Sequence, residues 1–257
     1  MGIYVNPGNR LFSCDIDSDL YVDKSLMICE LNNHINKTHR FLCMSRARRF
    51  GKTMMASLMT AYYSKGCDSR QLFEKLKLSK QEGWDKYLNK FNVIRIDLNG
   101  WYSKTKDKSQ TIDRLQAGIV KELRKEFPFV EIPTDAVIAD AISLIFEALG
   151  ETFVIIIDEY DVLIRDKSVA ESLRKEYIEF LNSLFKSSDT QEAISLAYLT
   201  GIMVLPILRQ VLTLFYYCFS YSLLERGVGV PPLLSPTESF NFCFRLQFDL
   251  GIFSRGI

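Results

Sequence analysis

The stretch from Ser45 to Thr53, which reads Ser-Arg-Ala-Arg-Arg-Phe-Gly-Lys-Thr, lies between an apolar run at residues 40–44 and a segment of helical period. That segment places apolar side chains on one helix face, at Met55, Leu58, Met59 and Tyr62. A phosphate-binding loop needs this order of strand, loop and helix, because backbone N–H groups and the helix N-terminus behind them bind phosphate oxygens. The stretch therefore predicts an ATP-binding loop.

The residues Phe50, Gly51, Lys52 and Thr53 form the second half of such a loop. A lysine at this position reaches the β- and γ-phosphates, and the hydroxyl that follows it holds Mg²⁺. We therefore expect Lys52 to bind phosphate and Thr53 to bind the metal. The first half differs from the common motif, because Arg46 stands where that motif has glycine.

A second element follows the apolar run at residues 153–157, which reads Phe-Val-Ile-Ile-Ile and predicts a strand buried on both faces. Asp158 and Glu159 come directly after it. ATP hydrolysis needs one carboxylate to hold Mg²⁺ and another to orient the attacking water. The carboxyl edge of a parallel sheet is where ligands bind in open α/β folds. We expect Asp158 to bind Mg²⁺ and Glu159 to align water.

Each element also has a plainer interpretation. Arg46, Arg48 and Arg49 would be solvated surface charges before an ordinary helix, and Asp158-Glu159 would be an acidic loop. The two elements together favour the nucleotide site over both.

Thr200 directly follows the next apolar run, residues 193–199, and precedes Gly201. Its hydroxyl could bond the γ-phosphate or the attacking water, and an ordinary Thr-Gly turn at a strand end explains it equally well. Both interpretations stay open at this point. Asp161 is expected to be a helix or loop carboxylate.

Short apolar runs alternate with longer segments of helical period, which predicts βα units. Strands are expected at residues 40–44, 92–98, 153–157 and 193–199. Helices are expected from residue 52, at 109–127, at 135–149 with Gly150 as its C-cap, and at 168–185, with a short helical excursion at 71–89. The predicted fold is a three-layer α/β/α P-loop NTPase with a mainly parallel central sheet. The strand that enters the phosphate loop should lie beside the Asp158 strand or one removed from it.

The net charge of +1 over 257 residues predicts no global attraction to nucleic acid or to anionic membranes. The N-terminal residues lack the long apolar stretch of a signal peptide. The six cysteines are scattered, with no close pair, which favours reduced thiols. A cytoplasmic location is therefore expected.

The composition changes near residue 203, and the last lysine is Lys186. We expect a P-loop domain over residues 1–203 and a divergent apolar tail over residues 204–257. Residues 211–224 are aromatic-rich but shorter than a bilayer span, so no clear membrane segment is predicted. A poorly specified, partly disordered or aggregation-prone tail is the favoured interpretation.

These stretches together resemble the bacterial AAA-ATPase-like family, whose P-loop domain is often fused to a PD-(D/E)XK nuclease-like domain. The resemblance covers roughly residues 1–203, and its most specific part is the arginine-rich loop from Ser45 to Thr53. The other matching stretches are Tyr21-Val-Asp-Lys-Ser25, Ala61-Tyr-Tyr63, Ile156-Ile-Asp-Glu-Tyr-Asp161 and Leu199-Thr-Gly-Ile202.

The resemblance implies that Arg46 is a family variant, since an Arg-x-Arg-Arg-Phe-Gly-Lys-[Ser/Thr] loop is the usual form. Guanidinium groups can contact phosphate oxygens bidentately, which points to Arg48 and Arg49. The resemblance also marks Tyr21, Asp23 and Lys24 as an edge of the nucleotide site. Relatives continue past the Thr-Gly-Ile strand into further elements, whereas the sequence from Met203 does not look like that continuation, which predicts a truncated or frameshifted reading.

The function expected from these residues is Mg-dependent ATP hydrolysis, with Lys52 and Glu159 as the catalytic residues. One alternative is an ATP-binding regulatory or interaction module with little turnover. Another is a P-loop kinase, which the adjacent Asp158 and Glu159 disfavour because a water-aligning carboxylate is of little use to it. Nucleic acid is implied as a partner by family architecture alone. The sequence does not predict an oligomeric state.

Overall fold

The computed structural model describes residues 2–19, 21–45 and 50–202, together with the backbone of residues 215–216. The strands are β1 (Phe41–Ser45), β2 (Asn92–Asp97), β3 (Phe153–Asp158), β4 (Ile194–Gly201) and the two-residue β5 (Phe215–Tyr216). They form one sheet in the order β2-β3-β4-β1-β5, and every pair of neighbours is parallel. The predicted parallel sheet is confirmed, and β1 lies one strand removed from β3.

The helices of the described residues lie before β1 and in the segments between the strands. Before β2 they are α1 (Arg10–Ile16), α2 (Met27–Asn32), α3 (Lys52–Tyr63) and α4 (Arg70–Phe73). After β2 they are α5 (Leu98–Lys104), α6 (Thr111–Glu126), α7 (Ile138–Leu149), α8 (Val162–Arg165), α9 (Glu171–Lys186) and α10 (Ser188–Ala193). Single 3₁₀ turns occur at Lys77–Lys80 and Lys108–Gln110.

Helices cover both faces of the sheet. Side chains alternate between the two faces of a strand, so each strand contributes to two apolar cores. On β3, Phe153, Ile155 and Ile157 pack in one apolar core with α6, α7 and α9. Val154 and Ile156 pack in the other core with α1, α2 and α3. We call the second side the α3 face. All six residues of β3 are buried, as expected for a strand between two helical layers. The predicted three-layer α/β/α fold is confirmed.

The N-terminal segment covers the outer edge of β2. Val5 forms an antiparallel bridge with Ile94, and the carboxylate of Glu122 on α6 accepts the backbone N–H groups of residues 3, 4 and 5 at 3.0, 2.8 and 2.9 Å. On β2, the Arg95 N–H donates to the Tyr4 carbonyl at 2.9 Å and the Val93 carbonyl accepts the Asn6 N–H at 2.8 Å, so these edge groups are not left open. The β2 side of the sheet is thus closed by the chain itself.

Several predicted boundaries move by one to three residues, for local reasons. The strand expected to end at Leu98 ends at Asp97, because the Asp97 carboxylate accepts the N–H of Gly100 at 2.9 Å and starts α5. The helix expected from Ser168 begins at Glu171, because the N–H and hydroxyl of Ser168 both bond Asp166. Gly150 ends α7 with a left-handed φ of 66°, as predicted.

Most of the predicted tail lies outside the described residues, so the division at residues 203 and 204 and the truncated reading stay predictions. Only the backbone of residues 215–216 is described there, as the strand beside β1. Within the described part of the chain, none of the helices combines the length and the apolar character needed to span a bilayer. The four cysteines of that part, Cys14, Cys29, Cys43 and Cys67, are not in disulfides.

Candidate nucleotide site

The predicted site residues come from strands that end at one edge of the sheet. The register pairs Asp97 of β2 with Asp158 of β3, and Met44 of β1 with Thr200 of β4. Where β1 enters the loop, the hydroxyl of Ser45 donates to the carbonyl of Ile202 at 2.7 Å. The parallel sheet therefore brings the start of the phosphate loop next to the end of β4.

Asp158 and Thr200 are in direct contact at this edge. The Thr200 hydroxyl donates to Oδ1 of Asp158 at 2.5 Å, and the two residues are 2% and 0% exposed. Both lie on the α3 face, two residues after Ile156 and Tyr198, whose side chains pack there. Burial leaves the carboxylate in a fixed position with a partner that holds its orientation.

Glu159 has an unusual backbone conformation, with a φ of 53°. Residues with a Cβ rarely adopt this left-handed region, and such outliers cluster at functional sites. Its N–H donates to the Thr200 hydroxyl at 3.4 Å, and the next N–H, of Tyr160, donates to the Thr200 carbonyl at 2.9 Å. The turn after β3 is thus anchored on β4 through one residue, Thr200.

Asp161 anchors the same turn from the other side. It is buried, it precedes α8, and its Oδ2 accepts the N–H of Ile202 at 3.1 Å. The approach is close enough that a Cβ on Gly201 would lie 2.7 Å from Cε1 of Tyr160 and 2.9 Å from Oδ1 of Asp161. Asp161, directly before α8, therefore also ties this turn to the backbone after β4, and the packing leaves no room for a side chain at Gly201.

The second half of the predicted phosphate loop, residues 50–53, leads into the first turn of α3. Gly51 is the N-cap residue with a left-handed φ of 74°, which glycine adopts without steric cost. Lys52 is 8% exposed, Thr53 is an exposed residue of the first turn, and the Phe50 side chain is 57% exposed. Arg46, Arg48 and Arg49 lie outside the described residues.

Lys24 lies against this loop, from the segment that only the family resemblance marked as an edge of the site. Its Nζ donates to the Phe50 carbonyl at 3.0 Å. The flanking residues are anchored on the turn at residues 77–80, because Lys77 N–H donates to Oδ2 of Asp23 at 2.7 Å and Leu78 N–H to the Ser25 hydroxyl at 3.1 Å. Tyr21 packs edge-to-face on Phe12, 6.3 Å between ring centres.

Arg95 is a charged residue of the site that sequence reasoning missed. It is partly buried on β2, two residues before Asp97, and its Nη2 donates to the Ser57 hydroxyl on α3 at 3.2 Å. Burial lowers the pKa of Arg95, and the carboxylates of Asp158 and of two further aspartates, at positions 97 and 15, raise it. The sequence did contain a signal, because a charged side chain in the middle of an otherwise apolar strand needs a polar partner when helices cover the sheet.

The donor atoms at this edge suit Mg²⁺ bound together with a nucleotide. Mg²⁺ prefers hard oxygen ligands and is usually held by one or two carboxylates plus substrate phosphates, with several waters retained. Asp158 and the hydroxyl of Thr53 are oxygen donors of this kind. Within the described residues, no group of three or more His, Cys, Asp or Glu side chains could hold a metal alone. In such a site, phosphates and waters would supply the remaining ligands.

A family model described as predicted AAA-ATPase matches residues 14–211. The chain belongs to this family. The matched range includes β1 to β4, the Gly51-Lys52-Thr53 start of α3 and the Asp158–Thr200 contact. A comparison with curated proteins finds no match. Membership in the AAA-ATPase-like family confirms the predicted resemblance at that level and indicates, in general terms, a nucleotide-binding ATPase.

Proposed function

We propose that this chain binds Mg-ATP at the carboxyl edge of its sheet and hydrolyses it. The observation that carries the proposal is the buried contact between Asp158 and Thr200, next to the strand that leads into Gly51-Lys52-Thr53. The positive charge of Arg95, on the neighbouring strand β2, acts on this carboxylate. A buried carboxylate at a sheet edge, beside the N-terminus of a twelve-residue helix, suits a site that receives a metal and phosphates.

The phosphates would be bound by the backbone of residues 50–53 and by Lys52, whose ammonium offsets the charge of the β- and γ-phosphates. Arg46, Arg48 and Arg49 are proposed to contact phosphate oxygens, because each guanidinium presents paired donors that match two oxygens. These contacts would offset the glycine missing from the first half of the loop.

Mg²⁺ would be held by Thr53 and Asp158. When bound, Mg²⁺ supplies positive charge that stabilises the phosphate oxygens during transfer to water. Glu159 is proposed to orient the attacking water, from a turn whose left-handed φ and two bonds to Thr200 fix its position. Lys52 and Glu159 are thus the proposed catalytic residues.

The contacts of Thr200 refine its role. A hydroxyl has one proton to donate and two lone pairs to accept with. The Thr200 proton is directed to Asp158, and the Glu159 N–H is directed at its oxygen. With these contacts, Thr200 is a positioning residue, which holds the side chain of Asp158 and the backbone of Glu159. It could accept a bond from the attacking water, whereas donating to the γ-phosphate would require breaking its bond to Asp158.

Lys24 is proposed as a second cation at the phosphate loop. Its ammonium lies 3.1 Å from the point where a Cβ on Gly51 would be, and it bonds the carbonyl that precedes Gly51. An ammonium has three donors, and phosphate oxygens are stronger acceptors for it than a neutral carbonyl. The anchors on either side, Asp23 and Ser25, hold the segment in place while the long side chain adapts.

Phosphate release and ATP affinity, measured on the same preparation, test the proposal. We expect Mg-dependent release of inorganic phosphate, and we expect Glu159→Gln to retain ATP affinity while release falls to background. Binding without release would favour a regulatory or interaction module, and phosphate found on an acceptor would favour a kinase. Repeating the assay with DNA and with RNA tests the nucleic-acid partner that family architecture suggests. Wild-type turnover by Glu159→Gln would remove Glu159 from its role.

The remaining parts of the proposal concern the chain as a whole. We place the ATPase domain at residues 1–203, the divergent tail at residues 204–257 and the protein in the cytoplasm. Limited proteolysis followed by mass spectrometry tests the division, which predicts that the first cut falls near residue 203.

A further inference from the structure

Arg95 connects three elements behind the proposed magnesium site. It belongs to β2, it bonds Ser57 on α3 at 3.2 Å, and it interacts electrostatically with Asp15 on α1. Burial raises the pKa of Asp15, while the positive charge of Arg95 and the nearby Ser57 hydroxyl lower it. The guanidinium, the serine and the aspartate therefore form one polar cluster inside the otherwise apolar α3 face.

A hydrogen-bonded relay leads from Arg95 to the first turn of α3. Arg95 donates to the Ser57 hydroxyl, and Ser57 in turn donates to the carbonyl of Thr53 at 3.1 Å. A hydroxyl that accepts a charge-assisted bond is polarised as a donor, so the two bonds support each other. Through this relay, Arg95 reaches the residue whose hydroxyl is proposed to hold Mg²⁺.

A second link from Arg95 runs to the other proposed metal ligand. Arg95 and Asp158 lie on the same face, because Arg95 pairs with Ile156 in the register and Asp158 follows two residues later. Among the carboxylates that act on the guanidinium, Asp158 has the largest effect, ahead of Asp97 and Asp15. A buried carboxylate is costly without an opposite charge, and Arg95 supplies one.

We propose that Arg95 is a positioning residue for the magnesium site, holding Thr53 through Ser57 and Asp158 through its charge. This inference rests on the proposed function, since it assigns a role in binding Mg-ATP. Arg95 does not contact the nucleotide in this account. It fixes the spacing between the two residues that bind the metal, which come from different elements of the fold.

A purely structural role would tie β2 to α3 without any effect specific to the metal. The two roles differ in one quantity, the ratio between the dissociation constants for ATP without and with Mg²⁺. A positioning role lowers this ratio, because only the Mg²⁺-dependent part of the affinity is lost. A structural role weakens both affinities together or lowers stability alone.

The experiment measures ATP affinity in excess Mg²⁺ and in EDTA, with a fluorescent ATP analogue, for Ser57→Ala and Arg95→Gln. Thr60→Val is the matched control for Ser57→Ala, because the Thr60 hydroxyl makes the same kind of bond, to the Ala56 carbonyl at 2.8 Å. Arg114→Gln, at an exposed position of α6, controls for the loss of one positive charge. Thermal unfolding of each variant without nucleotide reports on stability separately.

We expect the ratio to fall by about tenfold in Arg95→Gln and in the same direction in Ser57→Ala, as for other residues that orient metal ligands. Both controls should keep the wild-type ratio. An unchanged or increased ratio in a folded Ser57→Ala would overturn the inference, even if Arg95→Gln does not fold. If wild-type protein binds no ATP, or binds it without regard to Mg²⁺, the proposed function itself fails. If Mg²⁺ strengthens ATP binding in the wild type and the variants keep the same ratio, only the role of Arg95 is refuted.

Discussion

The hydroxyl of Thr200 donates a 2.5 Å hydrogen bond to Oδ1 of Asp158, and both residues are almost completely buried. The bond joins the ends of β3 and β4, so the orientation of the proposed metal-binding carboxylate depends on the neighbouring strand. A threonine at a strand end and an acidic residue after a strand are each common. Their contact makes them parts of one site.

Removing the Thr200 hydroxyl should reduce turnover. Thr200→Val has nearly the same volume but cannot donate to Asp158 or accept from the Glu159 N–H. We expect phosphate release to fall by about ten- to a hundredfold, because the proposed metal ligand loses the partner that orients it. Steady-state phosphate release at saturating Mg-ATP measures this.

Thr200→Ser is the rescue variant for this prediction, because it keeps the hydroxyl. It should retain turnover close to that of the wild type. Equal losses in Thr200→Ser and Thr200→Val would mean that the methyl group and its packing matter, and not the hydrogen bond to Asp158.

Replacing Lys24 should weaken ATP binding through loss of charge. For Lys24→Met we expect an affinity about tenfold lower, the size of one charge-assisted hydrogen bond. The dissociation constant should also rise less steeply with salt than in the wild type, because interactions between charges are screened by ions. Titrations at several salt concentrations measure both effects.

Lys80→Met provides the control, since Lys80 is an exposed lysine on the turn that anchors the Lys24 segment. It should leave affinity and salt dependence unchanged. If Lys24→Met lowers affinity with an unaltered salt dependence, Lys24 acts by supporting the Phe50 carbonyl and does not contact phosphate.

Gly201 should not tolerate a side chain. The Cβ of Gly201→Ala would come within 3 Å of Tyr160 and Asp161, both of which belong to the buried turn after β3. We expect the free energy of unfolding to fall by about 1–3 kcal/mol, as for other insertions into packed interiors. Urea unfolding followed by circular dichroism measures it.

Gly118→Ala is the matched comparison. Gly118 lies inside α6, where an added Cβ would be 3.5 Å from its nearest neighbour, Cε2 of Tyr4, an ordinary contact distance. Alanine has a higher helix propensity than glycine, so we expect this variant to be more stable by roughly 0.5–1 kcal/mol. Equal stability changes in the two alanine variants would show that the packing around Gly201 is looser than described.

Local patterns were enough to predict the sheet and the helix that begins after Gly51. The five-residue apolar run before Asp158 has the signature of a buried parallel strand. Gly51-Lys52-Thr53 begins a helix after the loop that follows β1. Each of these features depends on neighbours along the chain. Sequence periodicity reports such neighbours directly.

Features that depend on contacts between elements could not be predicted from the sequence. Asp161 bonds the backbone of Ile202, 41 residues away, and Arg95 bonds Ser57, 38 residues away. Single-sequence patterns do not encode such pairs. The isolated arginine in β2 signalled a polar partner, but its identity required the packing of α3 on the sheet.

The central claim is that Mg-ATP binds at the start of α3 through Lys52. Isothermal titration calorimetry of wild-type protein and Lys52→Ala with Mg-ATP tests it most directly, with thermal unfolding to confirm that the variant is folded. We predict saturable binding to the wild type and a loss of at least about tenfold in affinity for Lys52→Ala, since a charged contact to phosphate is removed. A folded Lys52→Ala that binds Mg-ATP as tightly as the wild type would contradict the account.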